Sequence, residues 1–157
     1  MSFQPPSPLL PETPGLSPGE IFNLAGFGQR FVARVIDGIL TSSPLLIFYL
    51  LPSQIGPWSL LVWWSAFLGL TALNDVALTT VRGGTVGKLL VGTRVVTLKD
   101  QQPVSAGIAG RRWASMVVMS FIPFLGFIDD LWIFTGQMRQ TLHDKFAETI
   151  VVRAGSV

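Results

Sequence analysis

The sequence predicts an all-α membrane protein: a transmembrane helical hairpin followed by a third, broken hydrophobic region, three to four membrane segments in all. Three observations predict it. Only 13% of residues are charged and 49% are hydrophobic, whereas a soluble domain carries about 25% charged residues. Two apolar runs are each long enough to cross about 30 Å of hydrocarbon at about 1.5 Å per residue. The lysines and arginines gather on one side of those runs, the pattern that orients a membrane chain.

The chain opens on "MSFQPPSPLLPETPGLSPGE", with six prolines and no lysine or arginine. Proline at that density cannot donate backbone hydrogen bonds and favours extended, solvated chain. Residues 1–24 are therefore expected to be a disordered tail, residues 25–153 the membrane domain and residues 154–157 a short end. The first span, "VIDGILTSSPLLIFYLL" with the turns before it, contains Pro44, which frees the carbonyl of Leu40. Thr41, Ser42 and Ser43 are the local candidates to satisfy it. After the short uncharged turn "PSQIGP" comes a second run, Trp58 to Val81, whose one charge is Asp75. Trp58, Trp63 and Trp64 at its start suit an interfacial aromatic belt.

Orientation comes from the following loop. Between residues 82 and 112, Arg82, Lys88, Arg94, Lys99, Arg111 and Arg112 face Asp100 alone, and the loop before Trp58 has no basic residue. The positive-inside rule places residues 82–112 in the cytoplasm, and the N-terminus with them. The expected location is a bacterial cytoplasmic membrane, with the lipid bilayer as surroundings and a membrane-protein partner or further copies as company.

The third region, Trp113 to Gly136, admits two readings. Its 24 residues suffice for one crossing, which would put the C-terminus outside. The alternative is a break at "IPFLG", Ile122 to Gly126, into two short arms that return to the same side. "TRVVTL" and "TIVVR" are short and β-branched, and they can pair as cytoplasmic strands only in the second case. The broken hairpin is the favoured reading.

Several function classes fall away. With no cysteine and only one histidine, His143, thiolate and multi-histidine metal sites are excluded. A net charge of +2 without a basic, aromatic-interleaved face does not fit nucleic acid. "RGGTVGKLL" fails as a phosphate loop twice, because Arg82 and Leu89 stand where glycine and serine or threonine are required. Neither a nucleotide nor any cofactor is expected. Gly84 and Gly87 read instead as a tight exit from the second span, and Lys88 as a headgroup anchor. His143 beside Asp144 suggests half of a hydrolase triad, but neighbours on a helix do not face one another and no nucleophile elbow occurs. No enzyme is expected.

The charges at membrane depth remain. Asp37, Asp75, Asp129 and Asp130 fall at similar depth if the third region is a hairpin, and disperse if it is a single span. Arg34 and Asp37 are three residues apart on one helical face and are expected to pair. Arg30, about 10.5 Å from Asp37 along the axis, is left for a partner from elsewhere, with Asp144 the candidate.

These residues resemble the RDD family of integral membrane proteins. "AGFGQRFVARVID" is similar to its opening block, with Arg30 and Asp37 at the signature arginine and aspartate and Arg34 as an addition. "GGTVGKLLVGTRVVTLKDQQPVS", containing Gly84, Gly87, Lys88 and Arg94, resembles the second block. "RQTLHDKFAETIVV" resembles the third, with His143 and Asp144 as its histidine–aspartate pair and Glu148 where glycine is commoner. The resemblance implies a membrane protein in which transport has been suggested. Two functions compete: a non-catalytic subunit or adaptor of a larger membrane complex, which is favoured, and a small cation/proton exchanger acting as an oligomer.

Overall fold

A computed structural model of the chain describes residues 23–50, 56, 58–122 and 124–155. The expected proline-rich tail therefore lies outside the described residues, apart from its last two. One of those two corrects the boundary. Leu24, assigned to the tail on composition, is buried and bridges Val152, because the chain before the first helix lies along a strand edge.

The first helix, α1, spans Phe27–Leu50. Pro44 is accommodated inside it as expected: the Ser43 hydroxyl donates to the Leu40 carbonyl at 2.8 Å. Thr41 and Ser42 donate in turn to the carbonyls of Asp37 and Gly38, at 2.8 and 2.6 Å. The second run is one continuous helical rod in three parts: α2 (Ser59–Ala72), a π-helical turn (Leu73–Ala77) and α3 (Leu78–Arg82). Both rods are long and apolar enough to cross a membrane. Trp58 and Trp64 stay exposed, while Trp63 leans on Phe48 of α1, ring centroids 5.6 Å apart.

At the end of α3, Gly83 takes φ +80°, a left-handed conformation that closes the helix cheaply only for glycine. Thr85 then caps a short helix, α4 (Val86–Leu90), which folds back onto α1. The loop is thus more than a tight exit. Gly87 sits so close to α1 that an added Cβ would lie 2.1 Å from the Ala33 carbonyl oxygen.

Strand β1 (Thr93–Thr97) pairs antiparallel with β2 (Thr149–Arg153), Val95 opposite Val151 and Val96 opposite Ile150. Alternation sends the two sets of side chains to opposite faces. Val95 and Val151 join Ala25, Val104 and Ala109 in one cluster; Val96, Ile150 and Val152 join Leu24 in the other. The Ala25 amide donates to the Val151 carbonyl at 2.9 Å, so the start of α1 is tied to the same ribbon.

The third region is broken. Helix α5 (Ala106–Ser120) ends before a turn in which Phe124 adopts φ +66°, and α6 (Leu125–Leu131) follows, continued by a 3-10 turn (Trp132–Phe134). Since β1 precedes α5 and β2 follows this region, both flanks of the third region end at one sheet. The region is therefore not one continuous helix, and after it the chain returns to the sheet. A last short helix, α7 (Leu142–Phe146), carries the histidine–aspartate pair and packs against α5.

Candidate functional site

Three polar assemblies sit where the inner ends of the helices meet the sheet. The first is built around Asp37, about 15 Å into α1. Its Oδ1 accepts from Asn74 Nδ2 at 3.0 Å and from the Gly87 amide at 2.8 Å; its Oδ2 accepts from the Thr85 hydroxyl at 2.6 Å. Asn74 also accepts from the Val86 amide at 3.0 Å. One carboxylate thereby joins α1, the π turn and α4 through neutral donors. The expected Arg34–Asp37 pair is absent. Helical spacing allowed it, but donors from two other elements saturate Asp37. Arg34 instead lies 3.7 Å from Asp130 across a half-exposed gap, and its Nη1 is 3.1 Å from the sulfur of Met116.

The second assembly surrounds Asp144, which is 1% exposed. Its Oδ2 meets Arg30 Nη1 at 3.0 Å and its Oδ1 meets Arg112 Nη2 at 3.2 Å. The Arg30 partner is the one read from the sequence. Arg112, read there only as a loop charge, was missed. The same carboxylate closes the capping box of α7 by accepting from the Thr141 amide at 3.4 Å. Burial alone would push its carboxyl up; Arg112 and Arg30 more than offset this and hold it well below the usual carboxylate range.

The third joins His143 to Asp129. The Asp129 carboxylate accepts from the His143 amide at 3.0 Å and lies 2.6 Å from Nδ1. Arg112 Nη2 stands 3.2 Å from Nε2. A guanidinium only donates, so Nε2 accepts and the ring proton belongs on Nδ1, where it is given to Asp129. The histidine's carboxylate partner is therefore Asp129, on another helix, and not its sequence neighbour Asp144, whose Oδ1 is 3.6 Å from Nε2. Arg112 spans the second and third assemblies.

The four expected acids thus do not form one cluster. Asp37 and Asp129 are hydrogen-bonded in separate networks, Asp130 faces Arg34, and Asp75 makes no hydrogen bond or ion pair with any described residue. Asp75 instead lines a cavity of about 480 Å³ between α1, α2, α4 and α5. Lys88 lines it too, half-buried and without an ion pair, rather than reaching out as a headgroup anchor. Arg94 takes no part; its aliphatic stem lies over Gly83, and Gly84 is buried against Lys88 and the Thr93 carbonyl. Among the described residues no group of three or more histidine, cysteine or acidic side chains has the arrangement of a metal site. Asn74, Thr85 and Arg112 are the site residues that sequence reasoning passed over. An amide beside the only charge of the second run was the available signal for Asn74.

Two long apolar helices, tied at one end to a strand ribbon by buried charge networks, define an integral membrane protein with a polar cavity. A family model described as RDD family matches residues 24–148, and the chain belongs to that family. No curated protein and no solved structure matches it.

Proposed function

We propose that the protein is a non-catalytic membrane subunit, with its sheet and N-terminus on the cytoplasmic side, that assembles with a membrane-protein partner or with further copies of itself. One observation carries this reading: the charges at membrane depth, Asp75 excepted, are spent on internal fastening, while the helix surfaces are left uncovered. Asp37, Asp129 and Asp144 each hold separate elements together. Along α1 and α2, large side chains such as Ile39, Leu46, Leu60 and Leu61 remain 56–70% exposed. The test is native mass spectrometry of the protein released from its own membranes in mild detergent. A defined stoichiometry with a partner or with itself supports the reading; a monomer throughout overturns it.

A second reading, an oligomeric cation/proton exchanger, is favoured by the cavity and by Asp75, an acid left uncommitted there. In this version Asp37 and Asp129 are positioning residues, since their oxygens are already occupied. Reconstituted protein would then collapse an imposed pH gradient on addition of sodium, and Asp75→Asn would stop it. Absence of flux from a folded oligomer sinks this second reading.

A further inference from the structure

The cavity is lined by charged side chains, among them Lys88, Asp75, Arg30 and Arg112, and by apolar ones, among them Trp64, Phe67 and Phe121. The mouth is marked by lining residues that are themselves exposed: Trp64 at 50%, Phe121 at 75%, and the Arg34–Asp130 pair. At about 480 Å³ it falls within the roughly 300–1,000 Å³ of small-molecule sites. That is room for a polar head and the top of an acyl chain, with the remainder leaving past the aromatic rings.

The charge balance narrows the occupant. The lining holds four cations, Arg30, Arg34, Lys88 and Arg112, and four acids, Asp37, Asp75, Asp130 and Asp144. Arg30 and Arg112 share Asp144, Arg34 has Asp130, and Asp37 is satisfied by neutral donors. Asp37, Lys88 and Asp75 are left without an ion pair; neutral donors hydrogen-bond Asp37, while the charged ends of Lys88 and Asp75 have no such partner and attract each other only from beyond ion-pair distance. A purely anionic head would answer Lys88 and leave Asp75 facing like charge; a purely cationic one would do the reverse.

We propose that this cavity binds a zwitterionic amphiphile whose head carries a phosphodiester and a primary ammonium, the phosphodiester at Lys88, the ammonium at Asp75, and an acyl chain along Trp64 and Phe67. A charged ammonium meeting a phosphate oxygen, and a carboxylate meeting an alkylammonium, are both charge-assisted contacts in a shielded site. The source is a membrane lipid: the exposed rings at the mouth supply apolar surface that a free head would not use. This inference is independent of the subunit reading and survives or fails apart from it.

The experiment is lipid retention by the full-length protein, delipidated in detergent and titrated with phosphatidylethanolamine, phosphatidylglycerol or diacylglycerol of the same chains, read by native mass spectrometry. Phosphatidylethanolamine is expected to bind at least tenfold more tightly than the other two. Lys88→Gln should weaken it about tenfold, Lys88→Arg should restore it, and Asp75→Asn should abolish the preference over phosphatidylglycerol. The two single variants act on opposite ends of the head, so a folding defect in one leaves the other as a test. Equal retention of the three lipids overturns the proposal, as does unchanged binding in both variants. Soluble glycerophosphoethanolamine competing as well as the intact lipid at equal concentration overturns the lipid source.

Discussion

Asp144 combines two structural duties in one carboxylate. It caps its own helix through Thr141, and it pairs with two arginines that arrive from distant parts of the chain. Removing one member of a buried pair leaves the other charged and unanswered, at a cost of about 3–5 kcal/mol. Asp144→Asn, which leaves both arginines without their carboxylate, is expected to lower stability by that amount, measured by denaturant unfolding in detergent, and Arg30→Ala, which leaves Asp144 paired with Arg112, by less. The pH dependence follows from the direction of the shift. The native carboxyl is held below its unfolded value near 3.9, so its contribution is complete above that value. It declines as pH falls below it towards the folded value, and Asp144→Asn should flatten this acid limb. Lys88 behaves in the opposite sense. Burial lowers it from 10.5 to about 8, against the attraction of Asp75 on the π turn, Asp144 on α7 and Asp37 on α1, and with the repulsion of Arg112 on α5. The unfolded chain keeps this proton between about pH 8 and 10.5, where the folded chain has released it. Stability should therefore rise across that window and stop rising in Lys88→Met.

At the scale of elements, Gly87, where α4 meets α1, has the least room of the described glycines. Gly87→Ala would drive a methyl into the Ala33 carbonyl and beside the Asp37 carboxylate. The strain should cost at least the upper end of the usual 1–3 kcal/mol for overpacking. Gly107→Ala, at a helical position with open space around it, should cost nothing measurable in the same assay. Elements with a local signature were legible in the sequence. Pro44 with its neighbouring serines announced its own repair, and the β-branched runs announced the strand pair. The break after Ser120 was legible from the proline and glycine nearby. The π turn was not, because no residue type demands one; Asn74, which lies in it, bonds two other elements at once. Nor was the fate of Arg34. Spacing along one helix reports only neighbours on that helix, and the donors that captured Asp37 come from 37 to 50 residues away. The same limit hid Asp129 as the partner of His143.

Across the whole molecule, the ribbon fixes what lies together. The start of α1, the end of α3 and both flanks of the broken region converge on it, which predicts that these four points share one side of the membrane. Cysteine substitutions can test this without background, because the native chain has none. Lys99→Cys and Ala154→Cys, both exposed, should resist an impermeant reagent applied to intact cells, while Gly56→Cys, between the two long helices, should react. Reaction at both Lys99→Cys and Ala154→Cys would reverse the orientation, whereas reaction at Ala154→Cys alone would contradict the fold.

The Arg30–Asp144 contact also sets a timetable for biogenesis. Its partners are separated by 114 residues, nearly the length of the domain. At about 5–20 residues per second, a ribosome needs roughly 6–23 s to make the second after the first. Throughout that interval the first helix carries a guanidinium whose eventual counter-charge has not yet been synthesised. The nascent hairpin must keep Arg30 at the aqueous boundary, or in the care of the insertion machinery, until α7 arrives. Completion of the membrane part thus waits on the last short helix and the strand after it, and a ribosome stalled shortly before residue 144 would leave a hairpin that is inserted but unlatched.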